Sequence, residues 1–237
     1  MALGLGVGVL FVCAAALGLL THPQPLFAYH VAQGRLALYS DKPFDPARGR
    51  EVLAEIERRL ARSPLNDQKH YRIFIANTGW RNRLVFLWNY GAGGVNYYPI
   101  PNVFIRKADI DADRVMTSFG MPVPPPRTLA SYGAHEIGHS LVAAQIGAIP
   151  HFRLPAWVRE GLADYIAFGG EVDIGALAQD LRKGAPDLDP HRSGLYTRYR
   201  LLVAYLLERE GWTIAQLLAA PPAQASVEQR LLSNTAR

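Results

Sequence analysis

Residues 132–141 read YGAHEIGHSL, which sets His135, Glu136 and His139 within five positions. Residues four apart on an α-helix project about 40° from one another, so the two imidazoles face one point and can share a zinc ion. Glu136, about 100° round from His135, stands beside such an ion rather than on it, where a general base for an attacking water belongs. A chain with this much His and Glu acquires an H-E-x-x-H by chance in roughly one sequence in a hundred, so the motif points to metal chemistry without establishing it. Two ligands also leave a site incomplete, because catalytic zinc takes three protein ligands and keeps a fourth position open.

A second polar pair at helical spacing follows in PAWVREGLADY, where Glu160 stands 21 residues after His139 and Asp164 four residues after Glu160. At these two motifs the chain resembles the gluzincin peptidases, the thermolysin-like and aminopeptidase-like zinc enzymes. The resemblance implies a Zn2+ ion held by His135, His139 and Glu160, with Glu136 as general base and Asp164 orienting His135 from behind. It extends to LYTRYRLLVAYLLEREG, in which Tyr196 precedes Tyr205 and Leu206 by the interval at which the aminopeptidase branch keeps a tyrosine for the oxyanion. Tyr199, one turn further, and His191, if the site is closer to the thermolysin branch, are the alternatives for that role. One departure limits the carry-over. The aminopeptidases hold a substrate's free amine with the Glu of a Gly-x-Met-Glu-Asn strand, whereas GAGGVN here ends in Asn96 with Gly94 and Val95 in the Met and Glu places. Without that acid the expectation is an endopeptidase. Gly91, Gly93 and Gly94 could line an edge strand that pairs with an extended peptide, Gly93 and Gly94 being the substrate-binding candidates; a plain glycine-rich turn is the alternative.

The rival to a metal site is a buried polar cluster, and it has a physical defect. Two His, Glu136 and Glu160 with Asp164 behind them would bury several polar groups at a cost on the order of a few kcal/mol with no ion to organise them. The rival function is a non-catalytic, membrane-tethered zinc domain that binds a peptide or partner protein, against which the retention of Glu136 counts. Other metal readings fail on spacing: DIDAD from Asp109 to Asp113 has Arg114 where a calcium loop needs Gly, and Gln145 occupies the place of a third metzincin His. His22, His30 and His70 have no partner at ligand spacing; His151, between the two motif segments, is the one other histidine worth reconsidering.

The elements that must position these residues are legible from periodicity. FDPARGREVLAEIERRLARSPL carries Asp45 as N-cap, Pro46 at the first helical position and Val52, Leu53, Ile56 and Leu60 at helical spacing. YRIFIAN, RLVFLW and NVFIRK then read as short strands separated by Gly, Asn and Pro. From Arg127 onward helices are expected at about 127–147, 155–168, 173–183, 195–210, 213–219 and 226–233, the last with Ser226 and Gln229 as a capping box. The fold class expected is α+β: a zincin-like domain with a small mixed sheet over about 35–120 and a mostly helical half over about 127–237. Residues 22–34, with two prolines, read as a linker.

With 49% hydrophobic and 19% charged residues, the 237-residue chain has the balance of a globular protein enriched by one apolar segment. Ala2–Leu20 carries no charge, and 19 residues at about 1.5 Å each come close to a bilayer core of about 30 Å. No Lys or Arg precedes it and its best cleavage site has a bulky Leu26, so a single-pass anchor is expected rather than a cleaved signal. Lys42, Arg48 and Arg50 pull the domain toward the cytoplasm, whereas a lone N-terminal span most often leaves its domain outside; the outer face is the expectation. The net charge of +5 comes with scattered arginines and no basic stripe, so no nucleic acid partner is expected. A motif far from the only span excludes an intramembrane protease.

Overall fold

The computed structural model describes residues 14, 16–89, 92–117, 119–189 and 195–234. The expected anchor Ala2–Leu20 therefore lies mostly outside the described residues, as do Gly91 and His191. Among the described residues no helix is long and apolar enough to cross a membrane. The chain forms two compact units, one of Met1–Glu55 with Gln68–Gly133, the other of Ile56–Asp67 with Ala134–Arg237.

The first unit is built on a five-stranded sheet. β1 (Tyr29–Gln33) and β2 (Leu36–Ser40) form an antiparallel hairpin; β2 runs parallel to β3 (Tyr71–Ile75), β3 parallel to β5 (Asn102–Ile105), and β5 antiparallel to β4 (Gly94–Asn96). The order β1-β2-β3-β5-β4 leaves β4 at an edge. All four residues of β5 are buried, the polar Asn102 among them, so both faces of this strand are covered. Phe74 anchors one face, with ring centroids 5.1 Å from Phe27 and 5.4 Å from Phe104.

Two stretches differ from the sequence expectation. RLVFLW is helical, in α2 (Gly79–Phe86) and a 3-10 turn at Leu87–Asn89. Its branched and aromatic residues suit a strand, but Asp41 decides the conformation from afar by accepting from Asn77 N at 2.9 Å and Thr78 N at 2.8 Å, which fixes the chain just before the first turn. Residues 22–34 are not a linker: a 3-10 turn at Gln24–Leu26 and buried Phe27 lead straight into β1. Only Val31 of β1 is buried, so this edge strand lacks the alternation that would announce it.

DIDAD forms the turn between β6 (Ala108–Asp109) and β7 (Arg114–Val115). Its carboxylates serve the backbone, with Asp109 Oδ1 accepting from Ala112 N, Asp111 Oδ1 from Asp45 N and Asp113 Oδ1 from Ala130 N. Asp113 also accepts Leu129 N on its carbonyl oxygen at 3.1 Å, so it caps the start of α3 (Leu129–Ile146), the helix that carries the histidine motif.

α1 (Pro46–Ala61) and α3 each begin in the first unit and end in the second. The second unit continues with α4 (Ala148–Arg153), α5 (Ala156–Ala167), α6 (Ile174–Arg182), a 3-10 turn at Pro186–Leu188, α7 (Thr197–Ala204) running into a π-helical turn at Tyr205–Arg209, α8 (Ile214–Ala219) and α9 (Gln224–Asn234). The last helix starts two residues before the expected cap, so Ser226 sits inside it; the capping box is instead at α8, where Thr213 Oγ1 accepts from Gln216 N and Gln216 Oε1 from Thr213 N. Val142, Leu162, Leu201, Leu202 and Leu206 are fully buried at the heart of this unit.

Glycine sets how closely the site helices approach. A Cβ on Gly138 of α3 would lie 3.3 Å from the Cα and O of Ala163 on α5, and one on Gly161 of α5 would lie 2.6 Å from the carbonyl oxygen of Tyr199 on α7. Residues 161 and 163 are about 200° apart on a helix, so α5 is gripped on opposite sides by α3 and α7.

Candidate metal centre

α3 and α5 bring three ligand atoms to one place in the second unit. His135 Nε2 and His139 Nε2 are 3.1 Å apart, and Glu160 Oε2 lies 3.5 Å from the first and 3.3 Å from the second. The rings meet edge to face, with 89° between their planes. His135, His139 and Glu160 form the metal-type cluster found among the described residues.

The size of this triangle can be tested against zinc. Ligands about 2.05 Å from a tetrahedral ion are separated by about 3.3 Å, and the three observed edges bracket that value. The donor set, two imidazoles and one carboxylate, is one that catalytic zinc uses. The residues present therefore fit the ion.

Two of the three residues are held by a neighbour. Asp164, fully buried, lies with Oδ1 3.2 Å from His135 Nδ1. A carboxylate only accepts, so Nδ1 carries a proton toward it, and in the neutral ring Nε2 then keeps its lone pair for the triangle. The other Asp164 oxygen is 3.6 Å from Arg200 Nη1, and the Arg200 guanidinium also covers the Phe168 ring at 3.8 Å. Arg159 Nε donates to Glu160 Oε1 at 3.0 Å, which leaves Oε2 to face the histidines. His139 Nδ1 is a buried atom with no hydrogen-bond partner, so its orientation rests on packing and on what Nε2 meets.

Electrostatics in the cluster is dominated by its carboxylates. Burial pulls the His135 imidazole down, but its bonds to Asp164 and Glu160 prevail and push it up to about 9. Burial raises the Glu160 carboxyl, and the two histidines more than reverse this, holding it far below the usual carboxylate range. His151 is lowered to about 4, first by burial and then by His139 and Arg159; its ring lies 5.4 Å from that of His139. Glu136, the residue after His135 on α3, is buried at 7% exposure and adds its negative charge to the pull on His135.

Tyr196 immediately precedes α7, and its ring stacks on His135 at 5.7 Å and 12°. Tyr199 stacks behind Tyr196 at 6.0 Å, one ring further from the cluster. The third candidate for the same role, His191, lies outside the described residues. Gly94 opens edge strand β4 and Gly93 precedes it, where a Cβ would lie 3.2 Å from the Tyr132 ring; both belong to the first unit. Arg159 and Arg200 were not singled out by sequence reasoning. For Arg159 there was no signal, but Arg200 stands one turn after Tyr196 and directly before the apolar run LLVAYLL, a position where an arginine drawn inside needs a buried acid.

No family model, curated protein or solved structure matches this chain.

Proposed function

We propose that this chain is a zinc metallopeptidase, an endopeptidase of gluzincin type with a zincin-like α+β domain, tethered by its N-terminal segment to the outer face of a membrane. The observation that carries the reading is the triangle of His135 Nε2, His139 Nε2 and Glu160 Oε2, with edges of 3.1, 3.3 and 3.5 Å, beside a buried Glu136.

His135, His139 and Glu160 would hold the ion, with Asp164 fixing the tautomer of His135 and Arg159 turning one Glu160 oxygen toward the site. Zinc held there would supply Lewis acidity toward a peptide carbonyl and an attacking water. Glu136 takes a proton from the attacking water as its oxygen bonds to the peptide carbonyl carbon, then gives that proton to the nitrogen as the C–N bond breaks. The Tyr196 hydroxyl donates to the carbonyl oxygen as negative charge develops on it. The substrate is a peptide or protein, and the lack of an acid in the Gly93–Asn96 stretch favours cleavage indifferent to a free N-terminus.

The test is metal content and hydrolysis measured together on the wild type, on Glu136→Gln and on a His135→Ala, His139→Ala double variant. Glu136→Gln is expected to keep one zinc and its helical circular dichroism while losing about 10²–10⁴ in rate, because an amide cannot take the proton. Stoichiometric zinc in the double variant would overturn the ligand assignment. A zinc-loaded wild type that cleaves no member of a diverse peptide library would leave a peptide-binding zinc domain in its place.

A further inference from the structure

Residues 16–21 are helical, and Leu20 is at once the last residue of the apolar run and a core residue of the first unit. It is 8% exposed and packs in one cluster with Phe27, Phe74, Val85, Phe86 and Phe104. The buried amide of Asn102 on β5 donates to the carbonyl oxygens of Leu20 at 2.7 Å and Thr21 at 3.3 Å. Arg81 Nε donates to Leu26 O at 2.6 Å. No slack chain therefore separates the apolar segment from the sheet.

α2 lies beside this stem, because its fully buried Val85 and Phe86 belong to the Leu20 cluster. Its outward face carries Trp80, Arg83 and Leu84, at i, i+3 and i+4, all exposed to solvent. Trp80 is 52% and Leu84 40% exposed, and Arg81 holds its guanidinium 4.2 Å from the Trp80 ring centroid. On the stem itself Leu17 is 58% exposed. A tryptophan and a leucine flanked by arginines are the composition of a helix face that lies in the headgroup layer of a membrane.

From this we propose that α2 is a second membrane contact: Trp80 and Leu84 insert at the bilayer surface next to the anchor, and Arg83 meets anionic lipid headgroups. The inference rests on the reading of Ala2–Leu20 as a membrane anchor. If that segment spans the hydrocarbon, Leu20 ends at its boundary, and the headgroup layer beyond is only about 5–8 Å deep. A helix packed against Leu20 with no intervening linker is then held at that depth. Its outward face is the one that suits it.

The test uses the full chain with Cys13→Ser, reconstituted into vesicles of phosphatidylcholine alone or mixed with phosphatidylglycerol. A nitroxide is attached at Leu84→Cys or, as a control on an exposed turn of the same unit, at Ala112→Cys. Collision with oxygen is compared with collision with a water-soluble nickel chelate. The expected result is a several-fold preference for oxygen at position 84 and for the chelate at position 112. Arg83→Glu should reduce the preference at 84 several-fold in the anionic vesicles and leave it unchanged in the neutral ones. If the protein floats with the vesicles but the label at 84 collides with the chelate as freely as that at 112, the anchor stands and this contact is refuted. Protein that does not float refutes both. A label at 84 shielded from the chelate equally in lipid-free detergent solution would mean that protein, not lipid, covers the face, and would also overturn the proposal.

Discussion

Gly161→Ala is a single methyl placed where the backbone of α7 already stands. The added Cβ would lie 2.6 Å from Tyr199 O, 2.8 Å from Tyr199 C and 3.0 Å from Val203 Cγ2. The first contact is about 0.8 Å short of ordinary van der Waals distance. α5 cannot retreat to make room, since Ala163 on its far side already meets Gly138 of α3. α7 must give way instead, and with it go Tyr196, which stacks on His135, and Arg200, which faces Asp164. Overpacking against backbone at this depth falls in the upper part of the usual range, about 2–3 kcal/mol, offset by about 1 kcal/mol because Ala is the better helix former. The expected net loss is about 1–2 kcal/mol, or a fall in Tm of about 2–8 °C for a chain of this size. Gly138→Ala is the milder internal control: its closest contacts of 3.3 Å are to the backbone of the same gripped helix, so the helix-propensity gain of up to about 1 kcal/mol should roughly cancel the crowding and leave stability near that of the wild type. Thermal melts followed by circular dichroism on the zinc-loaded proteins decide the matter. A Gly161→Ala protein as stable as the wild type would refute the claim that direct backbone contact locks α5 against α7.

Two further outcomes are expected. Asp164→Asn should lower zinc affinity about 10–100-fold, read by competition with a chromogenic chelator; unchanged affinity would remove Asp164 from any role in orienting His135. Glu210 forms a forked pair with Arg230, at 2.7 Å and 3.1 Å, which outweighs the opposing effect of burial and holds its carboxyl below the usual range. A depressed folded-state pKa gives stability that is present above the unfolded value of about 4.3 and is lost as pH falls through the folded value. Glu210→Gln should therefore melt a few degrees below the wild type at neutral pH, with the gap closing in acid, and an equal gap at both would show the pair to be electrostatically idle.

The cluster was legible because residues four apart on a helix share a face, which joins His135 to His139, and because the resemblance pointed to Glu160; the structure brings these three together. The start of α1 was legible from Asp45 and Pro46, and the body of each site helix from its apolar period. What escaped depends on residues distant in sequence. α2 looked like a strand because nothing local says that Asp41 will hold Asn77 and Thr78. β1 was hidden by its own edge position, where one buried Val31 carries no alternation. Gly138 and Gly161 gave no sign of their importance, because a glycine within a helix reads only as a weak point until its neighbour across the interface is known.

That last omission bears on what kind of site this is. In a zinc finger the metal gathers its ligands as it folds the chain, and binding energy is spent on that ordering. Here α3 and α5 meet through Gly138 and Ala163, α5 and α7 through Gly161 and Tyr199, and buried Val142, Leu162 and Leu201 hold the three together. His135 Nε2, His139 Nε2 and Glu160 Oε2 stand at edges of 3.1–3.5 Å, with Asp164 beside the far nitrogen of His135 and Arg159 bonded to the far oxygen of Glu160. The helices that crowd these polar groups together are thus joined by contacts of their own. If the cluster holds zinc as proposed, packing of this kind would set the positions of its ligands, as rigid elements do for a functional site.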